Sequence, residues 1–263
     1  MIQIHDRVLT FETPDDRIFS LAHPSIGNGP FHIRLAVPFR RGQVKRESIC
    51  HWSQGRLRIG SLEVRLAGCD VWNPSPTWGD IELSTSLLHA LDAIFQEMDS
   101  NNLDPIDRDL FEAVGGEATR QGDGDALDAL REGLQHADPG RLGDAGEWLL
   151  GRGGGLTPAG DDLLLGAEVA LWLQCPQTAQ SLCSALIAGA DHRTTTLSCA
   201  FLKSAAQGEL REAWHILLEE KSHSLPILHQ HLKRIISYGA TSGQFALIGF
   251  RLALEALGGF ASR

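Results

Sequence analysis

Gly151-Arg152-Gly153-Gly154-Gly155-Leu156-Thr157-Pro158-Ala159-Gly160-Asp161-Asp162 runs directly into Leu163, Leu164, Leu165, Ala167, Val169, Ala170, Leu171, Trp172 and Leu173. Four of the first five residues are glycine, which lets the backbone take positive φ and approach a ligand without Cβ interference. Thr157 reads as an N-cap and Pro158 as the first helical residue. The stretch therefore predicts a glycine loop opening onto a long apolar helix.

Working outward, the hydrophobic period separates two regions. Residues 1 to about 80 alternate with period two, most clearly in Phe31, Ile33, Leu35 and Val37, in Leu57 and Ile59, and in Leu62, Val64 and Leu66. Gly42, Gly55, Gly60 and Gly68 punctuate them at hairpin-like intervals, which predicts an antiparallel β barrel or sandwich. From Ser84 the period becomes helical, beginning with Leu87, Leu88, Leu91, Ile94, Phe95 and Met98. Breaks such as Ser100 to Pro105, Gly115 to Gly124 and Asp138 to Gly143 leave nine or so helices. The expectation is an α+β protein, with a β module over 1–80 and a larger all-helical domain over 81–263.

A chain of 263 residues with 43% apolar and 21% charged content has ample material for a core. Its net charge of −10 argues against a general nucleic-acid or anionic-membrane surface. Five cysteines without a CxxC pair read as reduced thiols, and no signal peptide or membrane span is apparent, so a cytoplasmic location is expected.

The glycine loop and helix start predict an anion site built from Gly153, Gly154, Gly155, Thr157 and Gly160, because unpaired N–H groups and the helix dipole converge there. It is no Walker A, lacking Lys-Ser or Lys-Thr, and no dinucleotide fingerprint, since it follows the helical Trp148-Leu149-Leu150 rather than a strand. Asp161 and Asp162 either complement the helix dipole or hold Mg²⁺ or orient substrate. A second polar helix start, Asp191 to Ser198, offers His192, Arg193, Thr194, Thr195 and Ser198 for a carboxylate or phosphate. A third, Thr241-Ser242-Gly243, echoes the first: Gly166 and Gly249 each stand six residues beyond Gly160 and Gly243. So few identities read as two similar helix starts, whose N-termini could face one cleft. His223, His229 and His231 lack a ligand pattern, and no GxSxG elbow is present.

The segment from Leu156-Thr157-Pro158-Ala159-Gly160-Asp161-Asp162-Leu163 to Gly166 resembles the signature of the family that includes the AllH-type subunit of oxamate carbamoyltransferase. The resemblance extends to Thr195, Leu197, Ser198, Leu202, Ala205 and Gly208, to Gly239, Thr241, Ser242, Gly243 and Gly249, and more loosely to Trp72 and Pro74. Ala159 stands where the family often has Ser, and Gln244-Phe245 where an acidic residue is expected. The resemblance implies a multi-subunit enzyme of allantoin and purine breakdown that exchanges oxalurate and phosphate with oxamate and carbamoyl phosphate. Asp161, Asp162, His192 and Arg193 are then the expected catalytic residues. The alternatives are a non-catalytic structural subunit and a stand-alone enzyme acting on another small carboxylate.

Overall fold

The computed structural model describes residues 3–15, 17–40, 42–45, 48–116 and 121–258. The expected break from Gly115 to Gly124 and the N-terminal Met1-Ile2 therefore lie partly or wholly outside the described residues. The chain divides into two compact units: Met1–Pro74 with Leu210–Glu212, and Ser75–Glu209 with Ala213–Arg263.

The first unit holds two sheets. Strands β1 (Gln3–Ile4), β2 (Val8–Glu12), β3 (Ile18–Ala22) and β4 (His32–Arg34) pair in that order. Strands β5 (Cys50–Ser53), β6 (Arg56–Ile59) and β7 (Leu62–Arg65) form an antiparallel meander. Alternation along the strands sends Leu9, Phe11 and Leu21 from one sheet and Leu57, Ile59 and Val64 from the other into a single core. The Thr10 and Ser20 hydroxyls, buried across the β2–β3 pair, satisfy each other at 3.0 Å.

Of the expected barrel or sandwich, the described residues form two sheets and no closed barrel, and one expectation is corrected: the region is not wholly antiparallel, because β3 pairs with β4 in parallel, Leu21 opposite Ile33. Residues 23–31 lie between these strands and contain a 3-10 turn at Pro24–Ile26, and they carry the chain back to start β4 in the same direction as β3. The Phe31 to Val37 alternation is correspondingly shortened to a three-residue strand, and Val37 is exposed.

The second unit is helical: α1 (Thr85–Gln96), α2 (Pro105–Val114), α3 (Gln121–His136), α4 (Pro139–Leu149), α5 (Ala159–Gln174), α6 (Ala179–Leu186), α7 (Ala190–Arg193), α8 (Thr196–Ala206), α9 (Glu212–Leu218), α10 (Leu225–Ile236) and α11 (Ser242–Ala256). The α+β class therefore stands, with more helices than the breaks predict. Asp138 caps α4 through the Gly140 and Arg141 N–H groups, which reduces the break expected from Asp138 to Gly143 to about two residues. No helix among the described residues is long and apolar enough to cross a membrane.

Helices α5 and α11 make the centre of this unit. Both are apolar on nearly every face and are surrounded by other helices. They meet backbone to backbone: a Cβ at Gly166 would fall 1.9 Å from the Ala246 carbonyl oxygen, and one at Gly249 1.9 Å from that of Leu163. Each helix presses its glycine onto the other.

Candidate functional site

The start of α5 differs from the expected cap. Pro158 occupies the N-cap position and makes no side-chain cap. Thr157, released from that role, places its Oγ1 2.7 Å from Ser242 Oγ at the start of α11. Two further links join the α5 start to α8. Thr195 Oγ1 caps α8 by accepting from the Ser198 N–H, and it donates to the Leu156 carbonyl at 2.5 Å. Thr194, expected among the anion-binding residues, donates its hydroxyl to Asp161 Oδ2. The beginnings of α5, α8 and α11 thus converge on residues 151–157.

Asp161 is the hub of this arrangement. It is buried, its Oδ1 accepts the Gly151 N–H at 2.7 Å, and its Oδ2 receives Thr194, with the Ser198 hydroxyl beside it. Burial raises its pKa, and these hydrogen bonds oppose the rise. Asp162, one residue on, is also buried. Successive helical side chains diverge, so the two carboxylates do not face each other. Among the described residues no group of three or more His, Cys, Asp or Glu is disposed to hold a metal ion.

The glycines fall into two kinds. Gly160 and Gly243 are demanded by packing, since a Cβ there would meet the carbonyl oxygen of Leu149 at 2.1 Å or of Ile235 at 1.9 Å, each at the end of the preceding helix. Gly153 and Gly155 have φ of +111° and +84°, values that disfavour any side chain. Gly154, Gly155 and Leu156 are exposed, and a Cβ on Gly155 would face open space.

Carboxylates surround the loop. Arg152 is clamped by Asp123, with Nε at 2.9 Å and a terminal nitrogen at 2.6 Å; Asp123 is fully buried and also receives the Trp148 indole N–H. Asp107 of α2 accepts the Gly154 N–H, and a Cβ on Gly153 would lie 2.6 Å from its Oδ1. Asp104, the N-cap of α2, has its Oδ2 3.4 Å from the Cβ position of Gly154. Burial and then the like charge of Asp104 push Asp107 up to about 6.

The remaining expected residues lie around this centre. His192 and Arg193 are exposed; Arg193 donates to the Glu147 carbonyl at 2.9 Å and pairs with the Glu147 side chain. His229 and His231 face Glu97 and Glu220, respectively. Sequence reasoning missed Asp104, Asp107, Asp123 and the anchoring part of Arg152. The sole local signal was the Asp104-Pro105 cap ahead of α2, which gives no hint that α2 borders a loop some fifty residues further on.

Residues 149–254 match the family described as oxamate carbamoyltransferase subunit AllH. The match contains the loop and all three helix starts, and it bears out the resemblance carried by Leu156 to Gly166. No curated protein and no solved structure matches the chain significantly.

Proposed function

We propose that the chain is a subunit, or a homologue of a subunit, of a carbamoyl-transferring enzyme of the oxamate carbamoyltransferase type, interconverting oxalurate plus phosphate with oxamate plus carbamoyl phosphate. The observation that carries this reading is the convergence of three polar helix starts on one glycine loop, all inside the matched segment. Such starts favour small anions, because N–H groups and helix dipoles point outward from them. Every reactant of this transfer is a small anion. The backbone of Gly153 and of the exposed Gly154 and Gly155, the Thr157 and Ser242 hydroxyls, and Thr241 and Gly243 form the binding surface. Asp161 is a positioning residue that holds Gly151, Thr194 and Ser198 in register. Arg193 and His192 stand on the exposed side. Rate enhancement comes from orientation and charge stabilisation. A family of transferase subunits favours a multi-protein assembly, and the chemistry suits the cytoplasm. The assay follows carbamoyl phosphate released from oxalurate and phosphate by the assembled complex. The double variant Thr157→Val with Ser242→Ala is expected to lower release about tenfold, the equivalent of one lost hydrogen bond; a complex that works equally well without this chain would overturn the reading.

One observation favours a second reading, a non-catalytic subunit. The side chains at the convergence point satisfy one another, Thr157 with Ser242 and Thr194 with Asp161. Under that reading the double variant leaves turnover intact and weakens assembly instead.

A further inference from the structure

The surroundings of the loop are acidic on the α2 side, and that side calls for a different ligand group from the helix starts. Asp107 is 5% exposed, yet its Oδ1 has no hydrogen-bond partner among the described residues and faces Gly153. A buried acceptor left unmet costs about 1–3 kcal/mol, so this oxygen asks for a partner that the described residues do not supply. Its neighbour Asp104 spends Oδ1 on the α2 N–H groups of Ile106 and Asp107, leaving Oδ2 turned toward Gly154. Both oxygens lie against adjacent glycines, and at Gly153 a Cβ would collide with Asp107 Oδ1 itself.

We propose that Asp107, with Asp104 beside it, is a subsite for the N–H donor end of a small substrate, a primary amide or carbamoyl group, entering over Gly153 and Gly154. A carboxylate accepts hydrogen bonds and donates none, so it selects an amide against a carboxylate of the same shape. At pH 7 Asp107 is mostly ionised despite its raised pKa. Its acceptor oxygens and the helix starts across the loop would then sort the two ends of one ligand, amide toward α2 and anion toward α5 and α11. The choice of probe rests on the transferase reading given above; the geometry of the subsite does not.

Isothermal titration of the full chain with oxamate, oxalate and inorganic phosphate tests this. Oxalate differs from oxamate in replacing the amide by a second carboxylate. The natural chain is expected to bind oxamate at least tenfold tighter than oxalate. Asp107→Asn turns an N–H₂ toward the ligand and should invert that order, whereas Asp107→Ala should bring the ratio near one. Phosphate affinity should stay unchanged in both variants, which also reports an intact fold. A purely structural Asp107 would not exchange the two preferences. If oxalate and phosphate bind but the oxamate ratio is indifferent to residue 107, the subsite is wrong and the transferase reading stands. If none of the three binds, the subsite is wrong, and the transferase reading is decided separately by carbamoyl phosphate release from the assembled complex.

Discussion

Asp123 shows how one side chain fixes the loop. It is fully buried and holds the Arg152 guanidinium in a two-point clamp while accepting the Trp148 indole N–H. Asp123→Ala would strand that guanidinium and the indole donor, a loss of about 3–5 kcal/mol for a buried pair, nearer the lower figure because Arg152 keeps some solvent contact. Urea unfolding measures it; a loss below about 1 kcal/mol would refute the clamp's importance. The buried carboxyls act in the opposite sense. Asp107 is raised to about 6, Asp161 is raised, and Glu168, fully buried with no hydrogen-bond partner for either oxygen among the described residues, is raised well above the usual range by burial. At these three carboxyls the folded state therefore binds a proton more tightly than the unfolded chain does. The stability contributed by Asp107 is present below about pH 4 and is lost as pH rises toward 6. Asp107→Asn should flatten that part of the stability profile, read as urea midpoints from pH 4 to 7, and an unchanged slope would count against the assignment.

At the scale of elements, the α5–α11 pair is the most tightly specified feature. A methyl group at Gly166 or Gly249 would have to displace a carbonyl oxygen 1.9 Å away, so Gly166→Ala or Gly249→Ala should cost about 3 kcal/mol, the upper end for overpacking, despite alanine's better helix propensity. A thermal midpoint that rose in either variant would contradict the backbone contact. Much of this was legible beforehand. The change of period near Ser84 marks the helical region, and glycines inside an apolar helix cost helix propensity unless something presses on them. The matched six-residue spacing of Gly160 to Gly166 and Gly243 to Gly249 was visible too, although its reciprocal packing was not. What the sequence concealed depends on neighbours distant along the chain. Thr157 looks like a cap until Ser242 is placed beside it, Thr194 is claimed by Asp161 while Thr195 caps α8, and β3 meets β4 in parallel although the alternating pattern reads as antiparallel.

For the molecule as a whole, the chain passes out of the first unit after Pro74 and re-enters it briefly at Leu210–Glu212. That short return is bonded into the unit: Leu210 N–H donates to the Pro74 carbonyl at 2.7 Å, Glu212 N–H to that of Asn28 at 3.0 Å, and the Glu212 carboxylate accepts from the Asn28 amide. A fragment of residues 1–74 should therefore lack native dispersion in its amide spectrum and gain it when a peptide spanning 205–216 is added; a native-like spectrum without the peptide would show the return to be dispensable. The same connection sets an order of events on the ribosome. The first 74 residues emerge early, but they must wait for 136 more before Leu210 is made. At roughly 5–20 residues per second that is roughly 7 to 27 s during which a β-rich segment with exposed strand edges has no closing partner. Synthesis rate and chaperone access during that interval, rather than the stability of the finished protein, should then govern its yield.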